Sequence, residues 1–447
     1  MSEKHEDIYP LENDVYKRLT TAQKVQMLIM TLTLAPIRLF FMIVVLLILW
    51  PLSVLATRGQ AENMKIEPLS GWRRSMYPLI RIVARSLYFV AGFHWIKVYG
   101  ERDYSVKILT AAPHSSYLDS LFIVYMNFIS IIARMGSDEV LLFGNLTKMC
   151  HPIIVNREKH QSRTDTISSL MERVKSDKGW PQICIFPEGT CTNRKALVQF
   201  KTGAFIPGVP VQPVCVKFPQ SDFDSVSWTW QGPGAFEIVW LTLCKLHSPV
   251  EIHFLPVYNP SEQEKNDPVL FAENVRKLMA EHLDVPLSEY SYEDGILVTN
   301  LTKYGLPMKT GLIKIQKLRK RLGITEMSEI IKIIPLYAKL ADKKTGLCYL
   351  RTFTDNLGIK SNEQISKLFN LFDQEQIGNF SFKNFLEVYF EKLNVILKDK
   401  EIVQNILNNF EKFNLDDGTY EIDEFNSIVK QKYNLEISNL SESQVNK

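Results

Sequence analysis

The sequence predicts an α/β domain with a partly parallel sheet flanked by helices, anchored to a membrane on its N-terminal side and joined to an α-helical C-terminal domain. Three observations predict it. An uncharged apolar run lies near the N-terminus, short β-branched runs alternate with helical stretches through the middle, and the chain beyond Thr325 turns polar and helical. At about 150 residues per domain, a chain of 447 residues suits two or three domains. The expected boundaries are an anchor and interfacial helix over 1–100, the α/β domain over 101–260, a helical connector over 261–324, the helical domain over 325–435 and a tail over 436–447.

The anchor is read from the run LFFMIVVLLILWPLSVLAT, residues 39–57. It holds no charge, and at ~1.5 Å per residue it reaches roughly 28 Å, close to the ~30 Å hydrocarbon core of a bilayer. Mixed and polar sequence precedes it and no cleavage pattern follows, so it does not read as a signal peptide. Pro51 removes a backbone donor, which leaves a straight span and a half-inserted hairpin both open. Lys and Arg flank the run on both sides, so the positive-inside rule gives no orientation. In the next segment Arg81 and Arg85 share one helical face. That pattern predicts an amphipathic helix, with Leu79, Ile82, Val83 and Leu87 turned to lipid or to the protein.

The middle of the chain carries the α/β signal. Residues 106–111, 153–155, 183–186, 211–216 and 250–256 read as strands, and 120–132 and 164–175 as helices. Alternation of this kind predicts helices packed on a partly parallel sheet. The basic stretch KIQKLRKRLG at 314–323 is either a lipid-facing or a solvated helix face. Hydrophobic residues make up 46% and charged residues 23%, enough for packed cores. A net charge of +3, without a basic stripe carrying interleaved aromatics, sets nucleic acid aside as a partner. Cys150, Cys184, Cys191, Cys215, Cys244 and Cys348 have no zinc spacing and read as free thiols.

Two motifs carry chemistry. HSSYLD, residues 114–119, follows a predicted strand and precedes a predicted helix. A neutral imidazole with a pKa near ~6.5 can take a proton from an alcohol as its oxygen attacks. A carboxylate five residues on, at Asp119, can hold the tautomer and stabilise the imidazolium. FPEGTCTNR, residues 186–194, also follows an apolar strand. Gly189 lets backbone donors approach an anion, Thr190 and Thr192 add hydroxyls, and the planar fork of Arg194 suits a phosphate. Taken singly, neither motif is specific.

Their order is. HSSYLD, Arg157 in VNRE, FPEGTCTNR and VPVQPV (209–214) follow one another on one α/β domain. The series resembles the four blocks of the glycerolipid acyltransferase family, the lysophosphatidic acid acyltransferase-like group, over residues 112–216. The resemblance implies that His114 and Asp119 are catalytic and that Arg157, Glu188 and Gly189 bind the glycerolipid. The second block departs from the common Gly-containing form and keeps mainly Arg157. QKVQMLIMTLTLAPIRL, FVAGFHWIKVYGE, FIPGVPVQPV and WQGPGAFEIVWLTLCKLHSPVEIHFLPVY are similar to the lysophosphatidylcholine acyltransferases that bear EF-hands. That branch implies acyl-CoA as co-substrate, a lysophospholipid as acceptor, membrane lipids as partners and no required cofactor. It also implies the endoplasmic reticulum membrane with the site facing the cytosol, or lipid droplets. Lysophosphatidic acid acylation and acetyl transfer to lyso-platelet-activating factor are the alternatives within the class. A catalytically inactive, calcium-responsive membrane-binding protein is the alternative outside it.

The C-terminal part contains FDQEQIGNFSFKNFLEVYF and FNLDDGTYEIDEF, each with the helix–loop–helix rhythm of an EF-hand and a glycine, Gly378 or Gly418, at the turn. A calcium loop needs oxygen ligands at positions 1, 3 and 5 and a bidentate Glu at 12. Counted from Asp373, positions 5 and 12 are Ile377 and Asn384. The next loop opens on Phe413 but keeps Asp417, Glu421 and Glu424, the residues expected to hold any calcium. An earlier loop at Gly346 places Ala341 and Thr352 at its first and last positions. The expectation is a structural module, with weak calcium binding at Asp417, Glu421 and Glu424 as the alternative.

Overall fold

The structure, a computed structural model, describes residues 9–13, 15–60, 63–155, 161–219, 223–307, 311–357 and 363–393. Arg157, Asp417, Glu421 and Glu424, and with them the Gly418 loop, lie outside the described residues. The chain divides into two compact units, Met1–Tyr292 and Glu293–Lys447.

The first unit is built on a seven-stranded sheet of β1 (Ile96–Tyr99), β2 (Ile108–Ala112), β3 (Ser130–Arg134), β4 (Ile153–Val155), β5 (Ile183–Ile185), β6 (Val211–Lys217) and β7 (Val250–Phe254), in the order β1-β7-β6-β2-β5-β3-β4. Every neighbouring pair is parallel except β6 with β7. β2 sits in the middle and all its residues are buried. The two-residue period of a strand divides it between two cores. Leu109 and Ala111 pack with Cys184, Val214 and Val216 on one face. Ile108 and Ala112 pack with Ile183, Val211 and Cys215 on the other. Burial on both faces is why these strands read as continuous apolar runs.

The structure departs from the expected elements at two places. The helix expected over 120–132 ends at Tyr125, and Ser130–Arg134 is a strand. Asn127 and Phe128 take φ of 62° and 56°, which stops a right-handed helix, and the β-branched pair Ile131 and Ile132 then extends. β1 was not anticipated either, because it is a short edge strand exposed over three of its four residues.

The apolar run forms one continuous helix, Leu34–Thr57, that passes through Pro51. It is long and apolar enough to cross a membrane, and only 17% of its most apolar stretch is buried. A short break at Thr33 separates it from the Thr21–Leu32 helix. Leu28, Leu32, Phe40 and Leu47 are exposed on this pair. Polar contacts tie it to the sheet domain. Arg38, itself buried, donates to the carbonyls of Leu243 (3.0 Å), Lys245 and Leu246 (2.9 Å). These lie at and just beyond the C-terminal end of the Ala235–Leu243 helix, where carbonyls lack intrahelical donors. Gly92, at φ +106°, admits the guanidinium: a Cβ there would lie 3.3 Å from Arg38 Nη1. The Tyr77–Val90 helix buries Ile80, Ala84 and Leu87 and leaves Leu79 and Ile82 exposed. Its Arg85 caps the carbonyls of Phe93 and His94 rather than facing outward.

The second unit contains two helix–loop–helix arms, Ile334–Leu340 with Leu350–Leu357 and Glu363–Phe372 with Phe382–Glu387. Their loops pair through a two-stranded antiparallel sheet, β8 (Cys348–Tyr349) and β9 (Asn379–Phe380). The Gly346 loop, with the poorest ligand set, is therefore the described partner of the Gly378 loop. Fully buried Tyr337 locks the pair by donating to the carbonyls of Gly346 (2.8 Å) and Phe380 (3.2 Å).

Candidate active site

β2 ends at Ala112, and the chain turns at once into Pro113 and His114. A short 3-10 turn, Tyr117–Asp119, brings Asp119 back beneath the imidazole. His114 Nδ1 and Asp119 Oδ2 are 2.7 Å apart. The same oxygen accepts the backbone N–H of Ser115 at 2.7 Å and of Ser116 at 3.3 Å. Asp119 is 2% exposed and His114 26%, so the carboxylate is hidden and the ring reaches the surface. With Nδ1 committed to Asp119, the nitrogen left to take a proton is Nε2. Phe186, the residue after β5, stacks on the ring with centroids 4.4 Å apart.

The second motif wraps the first. Glu188 is fully buried, and its Oε2 accepts the backbone N–H of His114 at 3.0 Å. The backbone N–H of Thr192 donates to the His114 carbonyl at 2.7 Å. His114 is thus held through both its backbone N–H and its carbonyl. Burial raises the Glu188 carboxyl to about 8, against the opposing pull of the His114 N–H. Burial lowers the His114 imidazole, but the neighbouring Cys191 thiol and Asp119 outweigh it and hold the group well above its ordinary value.

Gly189 takes φ +66°, and a Cβ there would meet Lys201 Cε at 2.9 Å. Glycine suits that turn, because the left-handed φ strains a residue with a Cβ and the Lys201 side chain would have to move aside. Thr190 is buried, and its Oγ1 accepts from Trp230 Nε1 at 2.7 Å. Arg194 pairs with Asp224 at 3.0 Å and donates to the Phe218 carbonyl at 3.3 Å, facing a pocket separate from the His114 ring. Motif spacing thus brings His114, Asp119, Glu188 and Gly189 together. It missed Cys191 as a neighbour of the imidazole and Lys201 as the cover of Gly189. The Cys191 thiol neighbours the His114 imidazole and helps to raise it. The Lys201 ammonium stands 3.7 Å over the Tyr292 ring. Neither is marked by spacing, because each contact is made across separate loops.

One more link runs through this site. Tyr117, inside the first motif, donates to the Ala235 carbonyl at 2.8 Å, at the start of the helix whose far end Arg38 caps. The His114–Asp119 turn and the apolar N-terminal helix therefore grip the two ends of one short helix.

The family profile described as Acyltransferase matches residues 95–217, the segment that runs from β1 to the end of β6. Lysophosphatidylcholine acyltransferase 1 of Danio rerio is 39% identical over 421 residues, covering 92% of this chain and 79% of that protein. The chain belongs to the lysophosphatidylcholine acyltransferase family. The Homo sapiens lysophosphatidylcholine acyltransferase 1 is 40% identical over 82% of this chain and 68% of its own length. Lysophosphatidylcholine acyltransferase 2 of Mus musculus is 35% identical over 97% of this chain and 79% of its own. No solved structure matches the chain. Within this acyltransferase, His114 and the three motif residues gathered around it, Asp119, Glu188 and Gly189, fall inside the matched segment.

Proposed function

We propose that the protein transfers a fatty acyl group from acyl-CoA to lysophosphatidylcholine, giving phosphatidylcholine. His114 acts as general base. As the acceptor hydroxyl attacks the thioester carbonyl, Nε2 takes its proton, the C–S bond breaks, and coenzyme A leaves as a thiolate that recovers a proton. Asp119 fixes the tautomer through Nδ1 and stabilises the imidazolium. The observation that carries this reading is the 2.7 Å contact between His114 and Asp119 at the open end of a central strand.

The other site residues take different parts. Glu188, wholly buried, holds the backbone of His114 and does not meet substrate directly. Gly189 and Thr190 shape the turn beside it, Arg157 contacts the glycerolipid, and Arg194 serves a phosphate-bearing substrate. The exposed apolar sides of the Thr21–Leu32 and Leu34–Thr57 helices lie in the bilayer. The Ala235–Leu243 helix then holds His114 at the lipid surface, where an amphipathic acceptor arrives. The endoplasmic reticulum membrane, with the site facing the cytosol, or a lipid droplet suits this placement. The paired helix–loop–helix arms of the second unit are EF-hand-like and structural.

The test is thiol release from acyl-CoA by the purified protein in detergent, with lysophosphatidylcholine, lysophosphatidic acid, lyso-platelet-activating factor or no acceptor. Release that requires lysophosphatidylcholine and is lost in His114→Ala is expected. Release with lysophosphatidic acid alone, or acetyl transfer alone, moves the substrate assignment. No release with any acceptor overturns the enzyme reading.

A further inference from the structure

A pocket of about 560 Å³, lined in part by Arg194, opens beside the catalytic turn. It lies just beyond the carboxyl ends of β2 and β6, adjacent parallel strands whose last facing pair is Ala112 with Cys215. Pro113 from one strand end and Val216 to Phe218 from the other form its floor, and His114 is the residue after Pro113. Crevices at the carboxyl ends of parallel strands are where α/β sheets bind ligands, and the volume falls within the roughly 300–1,000 Å³ of small-molecule sites.

The charge of the pocket narrows the ligand. Arg18, Arg194, Lys195 and Lys217 line it, against the carboxylates Glu12 and Asp224. Among the described lining residues the balance is four cations to two anions. Arg194 is oriented by its 3.0 Å pair with Asp224 and by the Phe218 carbonyl, while its buried Nε has no hydrogen-bond partner. A net positive pocket of this kind is badly matched to a zwitterionic phosphocholine head. It is well matched to the donor's far end, where three phosphate groups carry about four negative charges. The pocket is walled on one side by the N-terminal segment, through Asn13, Val15 and Gln23, so the chain ahead of the apolar helix becomes part of the donor site.

We infer that this pocket holds the 3′-phosphorylated ADP end of acyl-CoA, with the pantetheine arm running past Pro113 to present the thioester at His114. The inference rests on acyl-CoA being the donor, as proposed above. Arg18 and Lys195 are exposed and Lys217 is half-buried, so their replacement leaves the core intact.

The experiment compares the full-length protein with Arg18→Glu, Lys217→Gln and the double variant, using three donors: palmitoyl-CoA, palmitoyl-dephospho-CoA and palmitoyl-pantetheine. The double variant is expected to raise the KM for palmitoyl-CoA about tenfold, the change produced by losing one or two charge-assisted phosphate contacts. The KM for lysophosphatidylcholine stays within about twofold, palmitoyl-pantetheine is used equally by both proteins, and Lys217→Arg restores the donor KM. A rise in the acceptor KM instead assigns the pocket to the lipid head and overturns the inference, as does an unchanged KM for both substrates. Calorimetric binding of coenzyme A itself, weakened about tenfold in the double variant, tests the pocket without turnover. If wild-type protein binds coenzyme A there but transfers no acyl group, the proposed function fails and the pocket assignment stands.

Discussion

His114 Nδ1 and Asp119 Oδ2 stand 2.7 Å apart, and the same carboxylate oxygen accepts the Ser115 backbone N–H at 2.7 Å. One oxygen therefore fixes both the imidazole and the turn that carries it. Burial pulls the imidazole's pKa down, but Cys191 and Asp119 hold it well above its ordinary value. A base must be neutral to accept a proton, so kcat/KM is expected to climb with pH through and beyond the ordinary imidazole range. Asp119→Asn removes the neighbouring charge. It should move the inflection to lower pH and cut the plateau on the order of 10²–10⁴-fold. A pH-rate profile of both proteins checks this, and an inflection that does not move assigns the titration to another group.

The sequence made this pair legible because both residues sit in one short motif at the end of a buried strand, where spacing and strand periodicity determine geometry. The same holds for Gly189, whose positive φ is what a Pro-Glu-Gly-Thr turn demands. Other features depend on distant contacts and leave no local mark. Glu188 reads as a substrate ligand in the motif, yet folding buries it completely and spends one oxygen on the His114 backbone. Arg38 reads as the polar edge of an apolar run, yet it caps a helix some two hundred residues away in sequence. β3 escaped notice because the residues before it continue the apolar pattern of the preceding helix, and only the positive φ at Asn127 and Phe128 separates the two.

Glu188→Gln tests the buried acid. Its carboxyl is raised by burial to about 8, so below that pH the folded protein keeps a proton that the unfolded chain releases near ~4.3. The folded state then binds more protons than the unfolded state across that window. Stability falls as pH rises through it, and the loss is complete above the folded value. Glutamine keeps an acceptor for the His114 N–H and has no charge to bury. Glu188→Gln is expected to flatten the pH dependence of thermal unfolding between about 5 and 8 and to leave the KM for lysophosphatidylcholine unchanged. Glu188→Ala, which removes the acceptor, should lower kcat instead. A raised acceptor KM in Glu188→Gln would return this residue to lipid binding.

Cys191 separates direct transfer from an acyl-enzyme. Its thiol neighbours the His114 imidazole, the group that would serve it as a base. Direct transfer predicts that Cys191→Ala keeps turnover within about tenfold, whereas loss of a covalent nucleophile costs on the order of 10³-fold or more. The substitution should also lower the inflection of the pH-rate profile, because the thiol is one of the groups that hold His114 high. Mass spectrometry of protein quenched with acyl-CoA in the absence of acceptor gives the second reading. A stoichiometric acyl thioester on Cys191, combined with an inactive alanine variant, would replace the direct mechanism.

The Gly378 loop makes the last prediction. In a calcium loop the first residue lends a carboxylate oxygen to the ion and the twelfth lends two. Asp373 occupies the first position, is 3% exposed, and spends Oδ1 on the Ile377 N–H at 3.0 Å and Oδ2 on the Gly378 N–H at 2.7 Å. The twelfth position, Asn384, spends its Oδ1 on the backbone N–H and hydroxyl of Ser381, closing the start of its own helix. Ile377, at the fifth position, turns an apolar side chain outward, 61% exposed. The loop is thus held by its own amides and is paired with the Gly346 loop through β8 and β9. Millimolar calcium is expected to leave both the thermal midpoint and the acyl-transfer rate of the full-length protein unchanged. A calcium-dependent shift that survives Asp373→Asn but disappears in Glu424→Gln would locate an ion at Asp417, Glu421 and Glu424. A shift lost in Asp373→Asn would show instead that the amide bonds of this loop give way to the ion.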